Sequence, residues 1–166
     1  ASAAVELDIF GFFQAEGTFV FKKADATLSV TDGATTSQVA VAQLTIGAHV
    51  DSAFAGVNGG TSSALGLELT GVDFGLALSK PSDAADTRSW TSLKATVDSA
   101  SFVGVDDLTV NVTTLTVAVN QASGPQVADY TGANALAITT NAQTGDTITL
   151  DFDGADGALL QASGEL

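Results

Sequence analysis

Carboxylates closely spaced around a glycine are what a hard, oxygen-seeking cation needs. The segment Asp151-Phe152-Asp153-Gly154-Ala155-Asp156-Gly157 offers three of them. Asp151, Asp153 and Asp156 are therefore the metal-ligand candidates, with calcium as the ion. The spacing departs from an EF-hand loop, which wants a further ligand at Ala155 and a glutamate at position 12. The same residues also read as the solvated face of a strand that buries Leu150 and Phe152, followed by a polar turn. Asp106-Asp107, between two apolar runs, reads as a hairpin turn sooner than as a metal site.

His49 is the single histidine, so any catalytic triad would have to use it. Alternation puts it on the face opposite Ile46, Ala48 and Val50, with Asp51 on its own face to orient it. Nothing like Gly-x-Ser-x-Gly accompanies it, and a histidine on a strand surface is ordinary; the expectation is no enzyme. Glycosidase chemistry needs two carboxylates across a cleft, and no pair stands out from nineteen. A sugar platform needs exposed aromatics, yet the chain has one tryptophan, Trp90, and one tyrosine, Tyr130. Trp90 follows the polar loop from Lys80 to Ser89 and has Lys80, Arg88 and Lys94 nearby, an unusual surface neighbourhood that reads first as a loop cap. The nine phenylalanines fall mostly on alternating positions and read as core.

What must position such groups is set by composition. The chain has 166 residues, enough for one domain with its own core. No cysteine is present, which excludes disulfides, thiolate metal sites and cysteine nucleophiles. Nineteen acidic residues against five basic ones give a net charge of -14, which leaves no footprint for a phosphate backbone. Nucleic acid is excluded as a partner. At 45% hydrophobic and 14% charged the sequence is too apolar for disorder, yet no run approaches the length of a membrane-spanning helix. Membrane insertion is not expected. The opening ASAAVELDIF lacks a basic start and a continuous apolar segment, so the expectation is a mature, internal or excised piece.

Apolar residues recur at period two: Leu65, Leu67, Leu69 and then Val72, Phe74, Leu76, Leu78. The same grammar holds for Leu108, Val110, Val112 with Leu115, Val117, Val119, and for Val39, Val41 with Leu44, Ile46, Ala48, Val50. Ile148, Leu150 and Phe152 make another run. A strand puts each run on one face, and the three-residue step between runs predicts a bulge or a tight reversal. Thr31-Asp32-Gly33, Asn58-Gly59-Gly60, Gly145-Asp146 and Asp153-Gly154 punctuate the runs as turns. Pro81 and Pro125 fall in polar loops. Thr114-Leu115-Thr116 and Thr147-Ile148-Thr149 place threonines on strand faces, too few for an ice-binding rank. The chain is predicted to be all-β, with antiparallel sheets arranged as a sandwich or a partly solenoid-like stack.

Two similarities lie inside the chain. Val50-Asp51-Ser52-Ala53-Phe54-Ala55-Gly56-Val57-Asn58 is answered by Val97-Asp98-Ser99-Ala100-Ser101-Phe102-Val103-Gly104-Val105-Asp106, and the doubled runs that follow superpose at an offset of 43 residues. Residues 1–166 thus read as one module holding two β units, about 39–79 and 92–120. Ala162-Ser163-Gly164-Glu165-Leu166 resembles Ala4-Val5-Glu6-Leu7, and bringing Leu166 onto Leu7 gives a period of 159 residues. Gly11-Phe12-Phe13 is apolar for a chain terminus, and a first strand at a sheet edge could pair with a neighbouring unit.

The stretches Ile9-Phe10-Gly11-Phe12-Phe13-Gln14-Ala15-Glu16-Gly17-Thr18-Phe19-Val20-Phe21-Lys22-Lys23, Phe54-Ala55-Gly56-Val57-Asn58-Gly59-Gly60 and Leu69-Thr70-Gly71-Val72-Asp73-Phe74-Gly75-Leu76-Ala77-Leu78 resemble a repeat type of very large bacterial surface or secreted proteins. The stretch from Trp90 through Leu93-Lys94-Ala95-Thr96 to Phe102-Val103-Gly104-Val105-Asp106 fits the same pattern. The resemblance covers about Leu7 to Asn120 and implies a tandem module of an adhesin-like giant protein, outside the cell or at the bacterial surface. It carries no catalytic residues. Relatives of that kind often hold calcium on GGxGxD nonapeptides, a pattern this chain lacks. The expected partners are neighbouring copies of the module, joined head to tail through terminal strands. A calcium or glycan ligand is the second reading, and no cofactor is otherwise expected.

Overall fold

Alternating apolar residues build strands here, and most of the strands are long. The computed structural model describes residues 2–9, 13–104 and 111–165. In chain order the strands are β1 (Ser2–Ile9), β2 (Phe13–Thr31), β3 (Thr36–Val57), β4 (Leu65–Pro81), β5 (Trp90–Val103), β6 (Asn111–Ala122), β7 (Val127–Ala128), β8 (Leu136–Thr139), β9 (Thr147–Leu150) and β10 (Leu159–Glu165). The only helical pieces among the described residues are two single 3₁₀ turns, Gly132–Asn134 and Gly154–Asp156. The fold is all-β and antiparallel. The expected turn at Asp106-Asp107 and the apolar Gly11-Phe12 lie outside the described residues.

One sheet runs in the order β1-β2-β3-β4-β5-β6-β10, each strand antiparallel to the next, and β7 pairs with β2 beside it. The stretch between β6 and β10 forms the second layer. It crosses to reach β2, where Val127 and Ala128 pair with Thr31 and Val30, then lays the β8–β9 hairpin over the same face. Of the arrangements predicted, this is the sandwich-like one. The two β units, β3–β4 and β5–β6, lie side by side in one sheet instead of stacking in layers.

The main core sits between the layers. Leu28, Val30, Val41, Ala77, Trp90 and Ala118 from the sheet meet Ala128, Tyr130, Ile138, Ile148, Leu150 and Phe152 from the cover. Burying each large side chain there contributes about 1.5–3 kcal/mol. Two paired glycines shape the contact. Gly47 lies opposite Gly75, and a Cβ on Gly75 would stand 2.5 Å from Ile148 Cγ2 and 3.2 Å from Ile138 Cδ1. A Cβ on Gly47 would run into the Thr139 carbonyl. The hairpin therefore descends into a notch that only glycine leaves open. Polar residues on this face pair across strands: Ser92 donates to Asn120 Oδ1 at 2.9 Å, and Asn120 Nδ2 donates to the Ala128 carbonyl at 2.7 Å.

The opposite face is apolar too. Phe19, Ile46, Phe74, Leu76, Leu93 and Val117 are half-buried there, and the buried cluster on that side, Ala48, Val50 and Ala53, packs with residues of β2 and β4. Phe19 and Phe74 therefore shield the sheet's own surface. Among the phenylalanines whose burial is described only Phe152 is buried, and Phe21 and Phe102 remain 42% exposed. The expectation of a phenylalanine core fails because a single cover hides one face alone.

A transverse line interrupts every long strand at one level. Pairing of Val50 with Val72 and Ser52 with Thr70 leaves Asp51 facing Gly71. The neighbouring registers leave Gly71 opposite Asp98, and Asp98 opposite Thr114. On one side β2 shifts register between Glu16 and Gly17, and on the other β10 shifts between Ser163 and Glu165. Gly71 (φ 61°) and Thr114 (φ 57°) are left-handed, and they are related by the offset of 43 residues seen in the sequence. This is the predicted irregularity: Leu69 and Val72, three apart, pack on the same cluster. At Val41 and Leu44 the prediction fails. β3 passes through without a break, and Val41 enters the covered core while Leu44 sits on the other face. Both faces demand apolar residues there, so a three-residue step needs no bulge. Pro81 also departs from a loop, closing β4 as a buried residue opposite Val41.

Thr114 is β-branched and left-handed, a conformation that costs about 1–2 kcal/mol. Thr114→Gly is expected to raise stability in urea unfolding by about 0.5–1 kcal/mol after glycine's own chain entropy is subtracted. Gly47→Ala is expected to lower stability by about 1–3 kcal/mol through overpacking against the hairpin. Gly124, whose added Cβ would meet nothing within 4 Å, serves as the neutral comparison as Gly124→Ala.

Candidate functional site

The row next to the interruption on the covered face is polar because the hairpin does not reach it. Thr18, His49, Asp73, Thr96 and Thr116 stand opposite one another across five strands. His49 Nδ1 lies 2.9 Å from Asp73 Oδ1, and its Nε2 lies 3.4 Å from Asp51 Oδ1. The hydrogen bond with Asp73 raises the His49 pKa above its ordinary value, burial opposes the shift, and the charges of Asp73 and Asp51 add to it. Asp51 was legible in the sequence as a neighbour on the same face. Asp73 was not, because it arrives by cross-strand pairing from 24 residues away. The hydrogen bond to Asp73 orients the ring through Nδ1, while Asp51, nearly fully exposed, stands beside Nε2 at the longer distance. The arrangement is a clamp across β3 and β4 that binds more tightly when the imidazole is protonated.

The three metal-ligand candidates do not converge. Asp151 pairs with Lys94 Nζ at 2.8 Å. Asp153 caps the second 3₁₀ turn, accepting from the Ala155 amide at 2.9 Å. Asp156 lies exposed within that turn. No group of three or more histidine or acidic side chains able to hold a metal occurs among the described residues. A carboxylate that the sequence did not single out, Asp129, gathers more donors than any of them. It accepts from the Thr131 amide and hydroxyl at 3.2 and 2.8 Å, from Asn134 at 3.4 Å and from the Gly154 amide at 3.5 Å. Burial raises its pKa, but these hydrogen bonds outweigh that and hold it low. Its work is to fasten the crossing segment to the second 3₁₀ turn.

Trp90 is not a surface residue. It opens β5 with 2% of its surface exposed, its indole N–H donates to the Gln126 carbonyl at 2.8 Å, and Arg88 lies over the ring at 5.2 Å. Arg88 is held in turn by Asp86 at 2.6 Å. The capping role expected of Trp90 is what its position supplies, whereas a surface neighbourhood is not. Tyr130 is equally buried, at 2% exposed, against Phe152. Neither aromatic can present a face to a sugar ring.

Two backbone edges remain. β1 pairs only with β2, and β10 pairs only with β6, so each leaves one side of its ladder unpaired among the described residues. β10 is exposed along nearly its whole length, with Leu160 at 76%. An unpaired strand edge is a template on which another strand can pair. The chain matches no family model, no curated protein and no solved structure.

The clamp at His49 predicts a pH dependence. A histidine whose folded pKa is raised stabilises the fold fully below the ordinary value of about 6.5, and that contribution is lost as pH rises through the folded value. The Tm advantage of the native chain over His49→Gln is therefore expected to shrink as pH rises above about 6.5. Asp73→Asn should flatten the same profile.

Proposed function

We propose that this chain is a non-enzymatic structural building block of a long extracellular array at a bacterial surface, joined head to tail through its terminal strands. The observation that carries this reading is that the first and last strands of the main sheet form its two open edges. Most of the side chains considered for chemistry support the same reading, since they are engaged in holding the fold. His49 is clamped by two carboxylates, Asp151 and Asp153 serve an ion pair and a cap, and Trp90 and Tyr130 are buried. An acidic surface with a net charge of -14 repels other acidic surfaces and keeps a crowded fibre from collapsing on itself.

Location and size test the proposal together. An antibody raised against this chain is expected to detect, in the native cells, a polypeptide many times larger than 16.6 kDa that disappears when intact cells are treated with protease. A band near 16.6 kDa that intact cells protect would overturn it.

A further inference from the structure

The similarity between the two ends of the sequence acquires a physical meaning from the register of the sheet. An offset of 159 residues, which brings Leu166 onto Leu7, carries Gln161, Ala162, Ser163, Gly164 and Glu165 onto Ser2, Ala3, Ala4, Val5 and Glu6. Those two segments are β10 and β1, the two edges. We propose that in the array they are one and the same strand, bonded on one side to β6 of one unit and on the other to β2 of the next, so that the main sheet continues unbroken between units. The inference rests on the array reading above and deepens it.

Three features, none of them used in finding the offset, agree with it. Direction is the first. Seven strands in alternating sense make β1 and β10 run the same way, so a shared strand is antiparallel to both β6 and β2. Two separate edge strands meeting side by side would instead pair in parallel. Face is the second. Ala162 stands opposite Val117 and its equivalent position 3 stands opposite Phe19, both on the open apolar face. Gln161 stands opposite Ala118 and position 2 stands opposite Val20, both on the covered face. A slip of one residue would exchange the faces of one unit relative to the other. Level is the third. The register of β10 shifts at Gly164, between Ser163 and Glu165. The equivalent position 5 stands opposite Gly17, where β2 shifts against β3 between Glu16 and Gly17. The transverse line that crosses every long strand therefore continues from one unit into the next at the same height.

A strand with two partners differs from an edge strand in a directly measurable way. Successive amides of a strand point to opposite sides, so an edge strand protects alternate amides and an interior strand protects them all. The test uses a two-unit protein, residues 1–159 followed directly by residues 1–166, compared with the single chain in dilute solution by residue-resolved hydrogen exchange. In the single chain, alternate amides from Ser2 to Glu6 exchange freely. In the two-unit protein, those same amides of the second unit are expected to slow by at least about tenfold, giving an unbroken protected run. Alternate amides that stay fast while β3, β4 and β5 of both units remain protected would overturn the shared strand. Loss of protection in β3, β4 and β5 of either unit would overturn it as well, because units at this spacing would then not coexist. If the native polypeptide is large and surface-exposed but the alternate amides stay fast, the array reading stands and the shared strand falls.

Discussion

Antiparallel backbone pairing carries this molecule. Strands as long as β2 and β3, at 19 and 22 residues, commit every residue between their ends to one face or the other. Nothing can be moved singly: a slip in one ladder would exchange core and solvent across the sheet. The paired glycines Gly47 and Gly75 work only because register sets them side by side, opening a notch for Ile138 and Ile148. The buried Ser92–Asn120 pair likewise depends on facing positions in β5 and β6.

Relief from that commitment comes at a single height. The line through Gly17, Asp51, Gly71, Asp98, Thr114 and Gly164 lets alternation change phase in neighbouring strands together. A lone bulge would set one strand out of phase with its neighbours; a line of them keeps the ladder paired above and below. The left-handed residues fall on β4 and β6, one in each β unit. Repetition in sequence thus appears as repetition of a conformational device within one sheet. The same device gives the terminal strands their shared level, which ties the local backbone to the proposed assembly.

The proposed array role rests on edges more than on pockets. Several of the residues singled out for chemistry fasten layers and strands. His49 bridges β3 and β4 through Asp73, Lys94 ties β5 to the cover through Asp151, and Asp129 locks the crossing segment. Among the described residues, two backbone ladders keep one side unpaired. A strand edge recognises another strand by hydrogen bonds common to all residues, and specificity comes from the alternate side chains that register and direction bring together.

The strand composition, the turns at Asp32-Gly33 and Asn58-Gly59-Gly60, the internal offset and the irregularity near Gly71 were legible in the sequence, because period two and turn chemistry are local properties of the chain. Asp51 was legible as a companion of His49 for the same reason. The faces were another matter. Val41 and Leu44 look like one broken run and belong to opposite sides, since both sides of the sheet call for apolar residues there. Trp90 follows a polar loop and lies buried because residues 123–158 return across it, a contact between segments more than thirty residues apart. Asp73 and Asp129 find their partners only through pairing across strands and layers. Short-range periodicity is enough to make the chain strand and to mark where its β units recur. The tertiary structure alone decided which residues meet and which edges stay open, because register and layering bring together positions that no local pattern links.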